Sequence, residues 1–188
     1  MSLAFPQLEA GAEADLLARI RQGGAERGAS FDSLYRALRQ PVLALCLHLT
    51  RRRSDAEDAL QETFLAVYRG LPAFRGEAGL STWVFRIALR AALQVRARRR
   101  DHAELDPETP APGGGEDALH ARQEARRVQA ALASMPAEHQ AVLALFALDG
   151  LGHSVIAGIL GVPEGTVWSR LHAARRRLGE QLGRPPER

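Results

Sequence analysis

Ser54-Asp55-Ala56-Glu57-Asp58-Ala59-Leu60-Gln61-Glu62-Thr63-Phe64-Leu65-Ala66-Val67-Tyr68-Arg69-Gly70-Leu71 is the stretch whose reading decides the fold. Leu60, Phe64, Val67 and Leu71 recur at alternating steps of four and three residues, the period of one buried helix face. Asp55, Asp58, Glu62 and Arg69 fall on the opposite side, with Gln61 flanking. Ser54 with Glu57 fits a capping box at the start, and Gly70 followed by Pro72 marks the stop. An acidic stripe repels DNA, so this helix calls for a protein partner. An ordinary solvated helix would account for the charges. It would not account for Asp-Ala-Glu-Asp followed by Gln-Glu-Thr-Phe in that order.

Working outward, 14–21 reads as a short helix and 31–49 as a longer one, broken or kinked where Pro41 removes a backbone donor. Arg51-Arg52-Arg53 forms a basic turn, and 73–80 a glycine-containing loop. Ser81 or Thr82 can cap a fourth helix, roughly 82–99. It buries Val84, Ile87, Ala88, Ala91 and Val95 and turns Arg86, Arg90 and Ala97 outward. Residues 101–117 contain Pro107, Pro110, Pro112 and Gly113-Gly114-Gly115 and keep no apolar period, which predicts a flexible linker and a domain boundary. Four more helical patterns follow at about 118–133, 136–148, 154–160 and 163–182. No strand-period segment of useful length appears. The predicted class is all-α, with two small helical domains joined by a flexible linker and a helix-turn-helix in the second.

Composition agrees. Of the 188 residues 46% are hydrophobic and only 5% aromatic, which favours cores of Leu, Ala, Val and Ile between helices over sheet. All 25 Lys+Arg residues are arginine, a forked donor that suits phosphate and guanine edges, although genome base composition explains the same usage. The net charge of +3 is unevenly placed. Six arginines and no acid fall in 86–100, and six acids and no arginine in 101–117. Such blocks suggest a polyanion-binding segment beside a solvated acidic linker. The single cysteine, Cys46, sits in the apolar run 42–47 and reads as a buried reduced thiol; with His48 it is too little for zinc. No signal peptide, lipidation motif or long uncharged apolar stretch appears, so the expectation is a soluble cytoplasmic chain without membrane insertion.

The stretch Ser154-Val155-Ile156-Ala157-Gly158-Ile159-Leu160-Gly161-Val162-Pro163-Glu164-Gly165-Thr166-Val167 carries the helix-turn-helix. Ala157 is small where two helices cross, Gly161 suits a left-handed helix end, and Pro163 suits the first turn of the next helix. Ile156, Leu160, Val162 and Val167 form the core between them. At 100° per residue Val167, Leu171, Ala174 and Leu178 are buried. Gly165, Thr166, Ser169, His172, Ala173 and Arg176 point out, flanked by Trp168, Arg170, Arg175 and Arg177. Hydroxyl and guanidinium groups there suit base edges and phosphates.

Together these segments resemble the extracytoplasmic-function sigma factors, the smallest group of the sigma-70 family. The resemblance rests on 55–64, on Ala66-Val67-Tyr68-Arg69, on Phe74-Arg75-Gly76-Glu77, on 80–88 and on 161–172, and it spans roughly 12–182. It implies sigma region 2 over 12–100, the linker over 101–117 and sigma region 4 over 118–182. It implies that Asp55, Asp58, Gln61 and Glu62 bind the clamp coiled coil of core RNA polymerase. Arg75, Thr82, Trp83, Arg86 and Arg90 then face the single-stranded minus-10 element. Thr166, Trp168, Ser169, Arg170, His172, Arg175 and Arg176 face the minus-35 element. Promoter DNA and an anti-sigma factor are the further partners, with no cofactor, no metal and no catalytic residue.

The sequence departs from the family pattern at Arg90, where Asn is usual, at Trp168, where Lys or Arg is usual, and at Ala173, where Arg is usual. Acidic residues common around Ser154, Val155 and Gly158 are also absent. An alternative reading is a helix-turn-helix regulator without polymerase affinity, against which the 55–64 helix argues. A nucleic-acid enzyme is a third, but no P-loop, nucleophile motif or clustered metal-ligand carboxylates support it.

Overall fold

A computed structural model describes residues 10–22, 24–102, 116–148 and 151–183. They form eight α-helices and one 3-10 turn, with no strand among the described residues. The first unit holds α1 (Ala10–Gln22), α2 (Gly24–Thr50), α3 (Arg53–Gly70), the 3-10 turn Leu71–Ala73 and α4 (Leu80–His102). The second holds α5 (Glu116–Ala133), α6 (Ala137–Phe146), α7 (His153–Leu160) and α8 (Glu164–Leu182).

Three long helices build the first core. α2 buries Leu34, Leu38, Val42, Leu45 and Leu49, α3 buries Leu60, Phe64 and Val67, and α4 buries Val84, Phe85, Ala88 and Val95. That stripe explains why α2 runs unbroken through Pro41 instead of stopping there. One lost donor costs less than exposing five aliphatic residues in register. The capping box does not form. The N-cap of α3 is Arg52, without a side-chain cap, and the Ser54 hydroxyl donates instead to Asp55 at 3.4 Å. α2 closes on Arg51 in the left-handed region, φ 63°, unusual for a non-glycine residue. α4 begins earlier and ends later than its sequence pattern, so the predicted linker keeps helix at both ends. Residues 103–115 lie outside the described residues, and with them most of the predicted flexible segment.

Cys46 is fully buried, and burial pushes its thiol pKa up to about 12. The native chain should therefore resist a disulfide-exchange reagent near pH 8 and release one equivalent in denaturant. Prompt reaction of the native thiol would mean that the first core opens.

The second unit is smaller, with Val142, Leu145, Ile156, Ile159, Val167, Leu171 and Ala174 at its centre. It is seated on the first. α7 packs against α4 and α6 against α2, so the buried residues of both units form one continuous cluster. Polar clasps cross the seam. Arg96 donates to the Gln140 amide oxygen, Arg51 to the Gln129 carbonyl, and Arg86 Nε to the Gly158 carbonyl at 2.7 Å.

Candidate protein and nucleic-acid interfaces

The outward side of α3 carries two adjoining surfaces. One is the acidic stripe. Asp55, Asp58, Gln61 and Glu62 line a shallow cavity of about 380 Å³ with Val95, Arg98 and Arg99. Two of its carboxylates are already engaged. Glu62 accepts Arg98 Nη2 on both oxygens at 2.8 Å, and Asp55 accepts Arg99 Nη1 at 3.1 Å. Asp58 and Gln61 remain exposed. The acid of α3 is thus partly neutralised by the basic end of α4, a pairing across 36 or more residues that α3 alone could not reveal.

The other surface is apolar and was missed by the sequence reading. Phe31, Tyr35, Leu60, Phe64, Leu65 and Tyr68 line a groove of about 460 Å³, with Glu57 and Gln61 at its border. Its wall is an edge-to-face ladder: Tyr35 on Phe64 at 4.7 Å, Phe64 on Phe31 at 6.2 Å, Phe31 on Tyr68 at 5.1 Å. Arg27 closes one end, 4.3 Å above the Tyr68 ring. Leu65 is 48% and Tyr68 42% exposed, among the few large apolar side chains left outside the core. The available signal was that both lie off the Leu60–Phe64–Val67 stripe yet are not polar.

The turn before α4 forms a polar pocket of about 180 Å³ lined by Ala73, Phe74, Arg75, Glu77, Ala78, Trp83 and Arg86. Trp83 leans on Phe74 at 5.0 Å, and its far edge reaches within 3.0 Å of where a β-carbon on Gly70 would stand. Glycine at 70 makes room for the indole, which is half-buried against the core and still borders the pocket. Three of the five residues expected to meet minus-10 DNA therefore converge: Arg75, Trp83 and Arg86. Thr82 and Arg86 also lie under α7. Arg86 holds the Gly158 carbonyl, and the Thr82 methyl is 3.5 Å from where a Gly158 β-carbon would stand. Arg90 is exposed one turn further along.

The helix-turn-helix forms from the expected residues. Gly161 ends α7 with φ 67°, left-handed, and the Val162 N–H returns to the Ala157 carbonyl at 3.2 Å. Pro163 is the N-cap of α8, one position earlier than the pattern placed it, and its carbonyl accepts the N–H of Thr166 and Val167. Ser169, His172, Arg175 and Arg176 are exposed, while Thr166, Arg170 and Ala173 are half-buried. Trp168 is 58% exposed. Arg176 pairs with Glu180 at 3.8 Å, both side chains exposed, so its guanidinium can exchange to a ligand.

No described helix is long and apolar enough to cross a membrane, and among the described residues no group of three His, Cys, Asp or Glu is placed to hold a metal.

Comparison with known proteins adds an independent line. Sigma-70 region 2 matches residues 34–102, and Sigma-70, region 4 matches residues 125–178. The chain is 37% identical over 156 residues to the ECF RNA polymerase sigma factor SigM of Mycobacterium tuberculosis, covering 82% of this chain and 78% of that protein. It is 29% identical over 185 residues to the RNA polymerase sigma-H factor of Pseudomonas aeruginosa, covering 89% and 92%. The fold is similar to that of CnrH in complex with the cytosolic domain of CnrY, with TM-score 0.67 and 22% identity over 91% of this chain and 97% of that one. It is also similar to the sigma factor RpoE of Bartonella quintana in complex with the anti-sigma factor NepR, with TM-score 0.59 and 25% identity over 81% and 96%.

Proposed function

We propose, for a chain that belongs to the extracytoplasmic-function group of the sigma-70 family and is an RNA polymerase sigma factor, a division of labour between its two helical units. The first unit docks on the clamp coiled coil of core polymerase through α3 and captures the melted minus-10 strand beside α4. The second reads the minus-35 duplex with α8. The observation that carries this reading is the presence, in one chain, of an apolar and acidic docking face on α3 and two separate arginine-lined surfaces. Chemistry is left to the polymerase, and the chain works in the cytoplasm with it. The fold likeness to a sigma factor held by an anti-sigma factor supports an anti-sigma factor as a further partner.

On α3 the apolar groove supplies burial and the exposed Asp58 and Gln61 supply orientation. In the minus-10 site, arginines track phosphates while the pocket beside Trp83 takes an unstacked base. Thr82 and Arg86 must leave α7 to do this, so promoter capture requires the units to part. Reconstitution with core polymerase on a genomic fragment library tests the whole reading. The expected result is discrete run-off products that core alone does not make. A chain that is recovered on DNA but never with core is instead a regulator without polymerase affinity.

On α8, Arg176 offers a bidentate fork at the centre of the outward face and His172 a single contact. Arg176→Ala should cost minus-35 binding about 1–3 kcal/mol, more than His172→Ala. Ala173→Arg should tighten binding and change the preferred sequence. Fluorescence anisotropy of the holoenzyme on labelled duplex reads both. Lost binding in Ala173→Arg would mean that the small side chain is needed for close docking.

A further inference from the structure

Three rings and a guanidinium form a column at the edge of the second unit. The Trp168 indole lies face to face on the His153 imidazole, with centroids 4.4 Å apart and planes 11° apart. Phe146 backs His153 at 5.9 Å, and the Arg175 guanidinium sits 4.6 Å from the centre of the Phe146 ring. One residue comes from the end of α6, one from the start of α7 and two from α8. His153 Nε2 is shut off from solvent and has no hydrogen-bond partner among the described residues. Ring contacts, and no polar anchor on that nitrogen, hold the imidazole in place.

A lone exposed aromatic needs no explanation. Here a ring that is 58% exposed is held by a stack drawn from three helices, which leaves its outer face preorganised for a further contact. Its position points to that contact. Trp168, His172 and Arg175 lie on one stripe of α8 at i, i+4 and i+7, beside the outward face of Ser169 and Arg176. When a helix-turn-helix docks, its second helix enters the major groove while its first crosses the backbone. The column joins the start of α7 to the flank of α8, so it stands where the strand at the rim of that groove must pass. Arg170, Arg175 and Arg176 around it supply positive charge. The indole supplies none, but it presents a flat apolar face of the kind that packs on deoxyribose.

We propose that Trp168 is an uncharged ledge for the sugar–phosphate strand bordering the minus-35 groove, and that His153 is the positioning residue that holds it flat. The proposal rests on α8 being the recognition helix, and it adds a contact of a different kind to that helix: affinity without a counterion.

The test uses holoenzyme reconstituted from the full chain and core polymerase. The probe is a short labelled duplex enriched from a random library by the unmodified holoenzyme, with affinity measured across a salt series. Trp168→Ala should lower affinity about tenfold with the salt slope unchanged. Trp168→Arg should steepen the slope by about 0.9. His153→Ala should reproduce most of the Trp168→Ala loss, add nothing to it in the double variant, and be rescued by His153→Phe, which keeps the stack. Thermal midpoints of the free variants separate this from unfolding. If Trp168→Ala and His153→Ala bind like the unmodified chain while Arg176→Ala does not, the ledge is wrong and the recognition helix stands. If Arg176→Ala also binds undiminished, the recognition helix itself is misassigned. A His153→Ala loss that His153→Phe does not restore would overturn the positioning role.

Discussion

Gly158→Glu should part the two helical units and raise the apparent affinity of the free chain for single-stranded minus-10 DNA. Gly158 sits where α7 meets α4, its carbonyl accepting Arg86 and its α-carbon facing Thr82. A β-carbon there would stand 3.5 Å from the Thr82 methyl, ordinary contact distance, so alanine fits. Glutamate has four further heavy atoms to place and must displace either Thr82 or α7. Helix propensity cannot be the cause of opening, because either replacement favours α7 by up to about 1 kcal/mol over glycine. What is lost is the seam. A hydrogen bond to a charged group contributes about 1.5–3 kcal/mol, so losing the Arg86 clasp shifts the closed–open balance by about tenfold to a hundredfold. Because closure covers Thr82 and Arg86, the measured dissociation constant for that strand falls by the same factor up to full opening. Small-angle scattering should show a larger radius of gyration for Gly158→Glu and an unchanged one for Gly158→Ala. A Gly158→Glu chain with the scattering and single-strand affinity of the unmodified protein would remove closure as a factor in activity.

This seam is also where the sequence says least. Helix identity was legible because local period, glycine and proline dictate it: Leu60, Phe64 and Val67 place α3 on its core, and Gly161 with Pro163 fixes the turn into α8 whatever lies around them. The failures share a cause. Pro41 reads as a break because local chemistry says so, yet α2 continues because distant helices bury the residues on both sides of it. Ser54 reads as a cap, yet the helix starts two residues early at Arg53. Asp55 and Glu62 read as free acid, yet Arg99 and Arg98 answer them from 44 and 36 residues away along the chain. Nothing in 154–160 announces that Gly158 will lie against Thr82, since that contact depends on how two separately formed units meet. Trp168 reads as a missing cation until the imidazole beneath it is seen.

Leu65→Glu should weaken binding to core polymerase by at least about 30-fold, the threshold of an interface hot spot. Leu65 is the most exposed apolar residue of the α3 groove, and burying an unpaired carboxylate against a protein partner forfeits its hydration without return. Tyr68→Ala, which removes the end of the aromatic ladder but adds no charge, should give a loss of the same kind and smaller size. Asp58→Arg is the contrasting case. Its exposed carboxylate acts at the rim, so reversal should slow association, and the effect should fade with added salt where the Leu65→Glu loss persists. Glu62→Arg frees Arg98 and sets two guanidinium groups side by side, so its effect reports the α3–α4 pairing as well as the partner and is the poorer test. Because Leu65 is 48% exposed in the free chain, its replacement should shift folding stability by no more than about 0.5 kcal/mol. Pull-down and competition against an unmodified sigma factor at two salt concentrations measure both variants together. If Asp58→Arg abolishes binding and Leu65→Glu leaves it intact, the polymerase grips the acidic cavity near Val95, and the apolar groove serves some other partner.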